Sequence, residues 1–93
     1  MKESVKIGDV VQTTNGRNSG RNFLVIDVKD KFVYLVDGRK RKINSAKKKN
    51  IKHVKKVSGN QKDIAEKILN GVVVGNERVY RTINAQKQKI QED

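Results

Sequence analysis

The stretch FLVIDVKDKFVYLV at residues 23–36 leaves this chain little choice of fold. It holds two runs rich in β-branched and aromatic residues, too short for helices and separated by KDK. Such runs predict two strands joined by a tight turn. With a period of two, Leu24, Ile26 and Val28 are expected on one face of the first strand, and Phe23, Val25 and Asp27 on the other. In the second strand, Val33 and Leu35 should oppose Phe32, Tyr34 and Val36. A small core needs aromatic filling, so Phe32 is expected inside, while Tyr34 suits a core or a surface position equally.

The flanks extend the pattern. IGDVVQTT predicts an earlier strand centred on residues 10–13, and NGRNSGR, with two glycines and two asparagines, is loop chemistry. Asp37-Gly38 marks a further tight turn. RKRKI is expected as a fourth strand ending on Ile43, and NIKHV as a fifth anchored by Ile51. Five short strands in so small a domain predict a closed or nearly closed barrel, which removes exposed strand edges.

From about residue 60 the period changes. NQKDIAEKILNG places Ile64, Ala65, Ile68 and Leu69 on one helical stripe, with Asn60 as a candidate N-cap and Asn70-Gly71 as the stop. The following segment fits either a hairpin or a second helix capped by Asn76, with Val79, Ile83 and Ile90 inward. The helix is preferred, because Glu77 suits a first turn and AQKQKIQ has little strand character. The expected organisation is therefore a mainly β domain over residues 5–58 and a helical extension over 60–93.

Charge is placed very unevenly. The chain of 93 residues carries a net +12, yet residues 39–56 hold ten of the 22 Lys and Arg and no acid. The segments on either side are each close to neutral. That asymmetry points to a polyanionic partner. Ile43, Ile51 and Val54 interrupt the run, so the segment is expected to be tied to a core with its cations outward, rather than to be a solvated tail.

Several functions find no support. There is no Cys, and one His, His53, builds neither a multi-histidine metal site nor a triad. His53 is expected to pack or hydrogen-bond. No phosphate-binding GxxxxGK[ST] string occurs, and Asp27, Asp30 and Asp37 lack metal-loop spacing. No enzyme activity, cofactor or metal is expected. No apolar run approaches the roughly 18 residues of a membrane span, and MKESVKIGDVV lacks the apolar stretch of a signal peptide. No membrane association and a cytoplasmic location are expected.

Residues Gly8, Asp9, Val11, Gly16, Arg17, Gly20, Arg21, Val25 and Val28, in IGDVVQTTNGRNSGRNFLVIDVKDKFVYLVDG, resemble the KOW motif. The following KKKNIKHVKKVSG is similar to the basic closing strand of one KOW branch, the archaeal and eukaryotic large-subunit ribosomal proteins of the fourteen-e, six-e and twenty-seven-e group. The resemblance covers about residues 5–58, and the Lys, Asn and Ile content resembles that of a low-GC bacterium, which would make the chain a bacterial relative of that group. It implies a small SH3-like (KOW) barrel that binds RNA, above all structured ribosomal RNA. Residues 60–93 lie outside the resemblance; their helices are expected either to pack on the barrel or to present Val79, Tyr80 and Ile83 to a ribosomal or other protein partner.

Two elements are expected to meet the RNA. The first is the loop bearing Asn15, Arg17, Asn18 and Arg21, where glycines allow close backbone approach and arginines fork onto phosphates. The second is the basic region of Arg39, Lys40, Arg41, Lys42, Lys47, Lys48, Lys49, Lys52, Lys55 and Lys56. Lysine-rich contact implies recognition of shape and backbone more than sequence. Two alternatives use the same face. A protein-interaction adaptor would bind an acidic peptide there, and a duplex-DNA binder would draw on the faint helix-turn-helix likeness of IAEKILNGVVVGNERVYRTI.

Overall fold

The computed structural model describes residues 5–14, 20–57 and 61–91, with side chains described as far as residue 85. Strands β1 (Val10–Thr13), β2 (Asn22–Lys29), β3 (Phe32–Val36), β4 (Lys47–Asn50) and β5 (Val54–Lys56) form one antiparallel sheet in the order β4-β3-β2-β1-β5. Helices α1 (Lys62–Leu69) and α2 (Asn76–Gln91) follow. The domain is a five-stranded antiparallel sheet followed by two C-terminal helices.

The sheet is curled but open. Among the described residues no ladder joins β4 to β5. A flat sheet of five strands would hold its outer strands about 19 Å apart at the usual spacing. Here a single 3₁₀ turn, Ile51–His53, carries β4 into β5, and so short a link spans roughly 8 Å at the 3₁₀ rise. The two end strands must therefore bend toward one another. Ile51 N–H donates to the Lys31 carbonyl at 2.8 Å, and Thr14 N–H to the His53 carbonyl at 2.9 Å, which fixes that turn to both sides of the sheet.

Curling makes two cores. Val11, Phe23, Val25, Val33 and Leu35 are buried on the inner face, with Val5, Val28, Ile51 and Val54 packed against them. On the outer face Val10, Leu24 and Val36 are buried against Ile64, Val74, Val79 and Ile83 from the helical segment. Val79 and Ile83 recur four residues apart on α2, so one helical face meets the sheet. The two helices and the residues between them thus supply four of the seven buried residues of the outer core. Helix α1 stops at Asn70-Gly71, where Gly71 has φ +76°. Leu69 is 68% exposed, so it lies off the buried stripe that Ile64 and Ala65 define.

Several expectations are corrected. RKRKI is not a strand: residues 37–42 form a loop and Ile43–Ser45 a 3₁₀ turn, so the fourth strand is KKKN and the fifth begins at Val54. The faces of β2 do not follow one period, because a bulge between Val25 and Asp27 inserts Ile26. Val28 thereby joins Phe23 and Val25 inside, and Ile26 packs with the outer core. Phe32 belongs to neither core; it is half-buried on the outer face. Gln61 occupies the position before α1, with no side-chain cap, while Asn60 lies outside the described residues. Asn76 begins α2, but its side-chain oxygen accepts from Ile43 N–H at 2.8 Å, joining the helix to the basic segment.

Candidate nucleic-acid interface

The loop after β3 is organised by one carboxylate. Asp37 Oδ1 accepts from the backbone N–H of Arg39 at 2.9 Å and of Arg41 at 2.8 Å. The Arg41 carbonyl in return accepts from the Asp37 and Gly38 N–H groups at 2.9 and 3.2 Å. An Asp at this position closes a turn on its own side chain. Gly38 is needed for two reasons. Its φ is +84°, and a Cβ there would collide with Asn76 O and lie 2.9 Å from Tyr80 N. The loop is thus pressed against the first turn of α2, a contact only glycine permits.

This loop gathers cations from distant parts of the chain. Asp37 Oδ2 lies 3.6 Å from the Arg21 guanidinium, which reaches it from the loop preceding β2. Arg21, Asp37, Lys40, Arg41 and Lys47 line one open depression floored by Phe23. Burial pushes the Lys47 ammonium below its ordinary value, and Lys49, Arg41 and Arg21 push it further in the same direction. Four cations therefore share this notch with a single carboxylate, which is itself committed to the backbone and to Arg21. A phosphate placed there would meet an uncompensated positive field and two forked donors.

The remaining expected contact residues are distributed differently. Arg39 turns away toward α2, with its guanidinium 3.9 Å from the centre of the Tyr80 ring and 4.0 Å from Glu77. Lys42 is exposed beside the loop. On β4 the side chains alternate. Lys47 and Lys49 oppose Leu35 and Val33 on the inner side, whereas Lys48 opposes Tyr34 on the outer side and lies 4.4 Å from the Phe32 ring centre. Inward-facing lysines on an end strand also discourage further strand pairing. Lys52 and Lys55 are exposed at the far edge. Lys56 is half-buried, 3.7 Å from the buried Asp9 carboxylate. Asn15, Arg17 and Asn18 lie outside the described residues.

Sequence reasoning misses Asp37 as the organiser of the site, because DG reads as an ordinary turn signal. It also misses the meeting of Arg39 with Tyr80, residues far apart in the chain. One signal was available: Asp37 is the last acid before ten bases. Gly20, which leads into Arg21, has φ +89°, and no described residue lies within 4 Å of where a Cβ would point, so among the described residues its requirement is conformational. His53 is half-buried and lends its carbonyl to Thr14. Among the described residues no group of three or more His, Cys, Asp or Glu could hold a metal, and no helix is long and apolar enough to cross a membrane. No protein-family model matches the chain, and no curated protein matches it either.

Proposed function

We propose that this chain is an RNA-binding protein built on an SH3-like KOW barrel, which docks on structured RNA, ribosomal RNA foremost, through its basic loop and strands. The observation that carries this reading is the convergence of Arg21, Lys40, Arg41 and Lys47 on one notch around Asp37. Folding alone gains nothing from pressing like charges together; Lys47 is disfavoured as a cation first by burial and then by the neighbouring Lys49, Arg41 and Arg21. Phosphate oxygens would relieve the repulsion and release counterions from the RNA. Arginine supplies planar forks for phosphate, and the lysines supply point charges, so backbone and shape dominate over base sequence. The curl of the sheet, with one 3₁₀ turn linking its end strands, supports the barrel reading.

Binding of the full chain to a structured RNA hairpin, followed against salt, tests this function. Neutralising about four phosphates gives a log–log slope of about −3 or steeper. A flat salt response removes the electrostatic mechanism. Tighter binding of an acidic peptide at equal salt would favour the adaptor alternative, and tighter binding of duplex DNA the DNA-binding one.

A further inference from the structure

The geometry points to a second element on the other side of the sheet: Phe32 and Tyr34 form a platform on which two unpaired nucleotides of the bound RNA stack, one base to each ring. This rests on the RNA-binding reading and specifies the RNA as one with a splayed single-stranded segment.

The platform is the half of the outer face that the helices leave uncovered. At one end of that face, Val10, Leu24 and Val36 are buried beneath Ile64, Val74, Val79 and Ile83. At the other, Phe32 and Tyr34 stand on alternate positions of β3, half-exposed and packed into neither core. The bulge at Ile26 decides what flanks them. It turns Val28 inward and sets Asp27 opposite Tyr34 and Lys29 opposite Phe32. From the other side, β4 sets Lys48 opposite Tyr34 and Asn50 opposite Phe32. Two aromatic rings are therefore framed by two lysines, an amide and a carboxylate, a surface that excludes a further apolar layer but suits bases and their backbone.

Spacing selects the ligand. Residues two apart on a strand are about 6.6 Å apart, so the two rings stand side by side as separate seats. Bases inside a continuous duplex are stacked on both faces by their neighbours and cannot lie flat on a protein ring, whereas unstacked bases can. Lys48 now holds its ammonium 4.4 Å from the Phe32 ring centre. An exposed cation–π contact is weaker than a base–aromatic stack, so a base displaces the ammonium, which is then free to meet the adjoining phosphate. Asp27 opposes phosphate, but Lys29 lies 3.9 Å from its carboxylate and offsets that charge.

The test uses the tyrosines. The chain has two, Tyr34 and Tyr80, and no Trp, so Tyr80→Phe leaves Tyr34 as the sole reporter. The full chain carrying this change is titrated with unpaired oligouridine of about ten nucleotides, within the span that small single-strand binders cover, and with a blunt RNA duplex. Oligouridine should quench Tyr34 emission, and the duplex should bind without quenching. Phe32→Ala with Tyr34→Ala should weaken oligouridine binding by about fivefold or more per ring and leave duplex binding unchanged. Duplex binding with no quenching by oligouridine, or equal loss of both ligands in the double variant, overturns the platform while sparing the RNA-binding reading. Failure of both RNAs to bind overturns the two together. The quenching measurement leaves both platform rings in place, so it decides the matter even where the double variant folds poorly.

Discussion

Two basic stretches lie side by side in this sequence and become different things in the structure. Residues 39–42, RKRK, belong to a loop that Asp37 holds by two backbone hydrogen bonds. Residues 47–56 mostly enter strands. Strand alternation scatters the second group: Lys48 goes to one side, Lys47 and Lys49 to the other, Lys52 and Lys55 to the far edge, and Lys56 to Asp9. The loop instead turns back on itself, and Lys40 and Arg41 meet Arg21 and Lys47. A high density of charge along a chain therefore does not by itself make a binding site. A backbone that reverses direction concentrates charge, and an extended one distributes it over two faces.

The strongest way to break this contrast is at Gly38. Gly38→Ala adds a Cβ against Asn76 and Tyr80 in a left-handed backbone position. The strain and overlap together should cost about 3–5 kcal/mol, read as a lowered urea midpoint. A neutral substitution would mean that the loop does not rest on α2.

Charge removal compares the two stretches directly. Changing Lys40, Arg41 and Lys47 to Gln should weaken binding to a structured RNA by about 100-fold at low salt, near 2.7 kcal/mol, and flatten the salt slope by nearly one unit per lost phosphate contact. The same change at Lys48, Lys52 and Lys55, equal in charge, should have a smaller effect on the duplex portion. Equal losses would make net charge, not convergence, the determinant.

Asp37 separates loop geometry from charge. Asp37→Ala removes the acceptor for Arg39 and Arg41 N–H and should cost about 2 kcal/mol of stability, with weaker RNA binding despite a gain in positive charge. Asp37→Asn retains an oxygen acceptor and removes the negative charge, so it should hold the loop and tighten RNA binding. If both variants tighten binding, the hydrogen bonds do not organise the site.

The smallest effect concerns Lys47. Its folded-state pKa lies below the unfolded value of 10.5, so between the two the unfolded chain binds more protons and stability rises with pH. Below the folded value the cost of the charged form is fully present. Lys47→Gln should therefore raise stability at pH 7, by less than about 1 kcal/mol for a surface charge interaction, and remove the alkaline rise. Urea midpoints measured between neutral pH and 10.5 check both.

The sequence by itself determined the elements whose signals are local. The β-branched runs around KDK gave β2 and β3, Asn70-Gly71 ended α1, and Glu77 with Val79 and Ile83 indicated α2. It also located the excess charge. Each of these depends on residues within a turn or two of one another, where period and backbone preference act directly. Tertiary structure alone decided the rest. The bulge at Ile26 reversed the facing of Val28, because register answers to the partner strand and not to the strand's own pattern. RKRK became a loop because the Asp37 carboxylate and the docking of Gly38 on α2 outweigh a weak strand signal. Phe32 remained outside both cores because strand alternation sets it with Val36 on the outer face, and Ile64, Val74, Val79 and Ile83 pack only on the Val36 end of that face. Which cations meet is settled in the same way, by contacts between residues as distant as Arg21 and Lys47, and such meetings follow from the closing of the fold and not from composition.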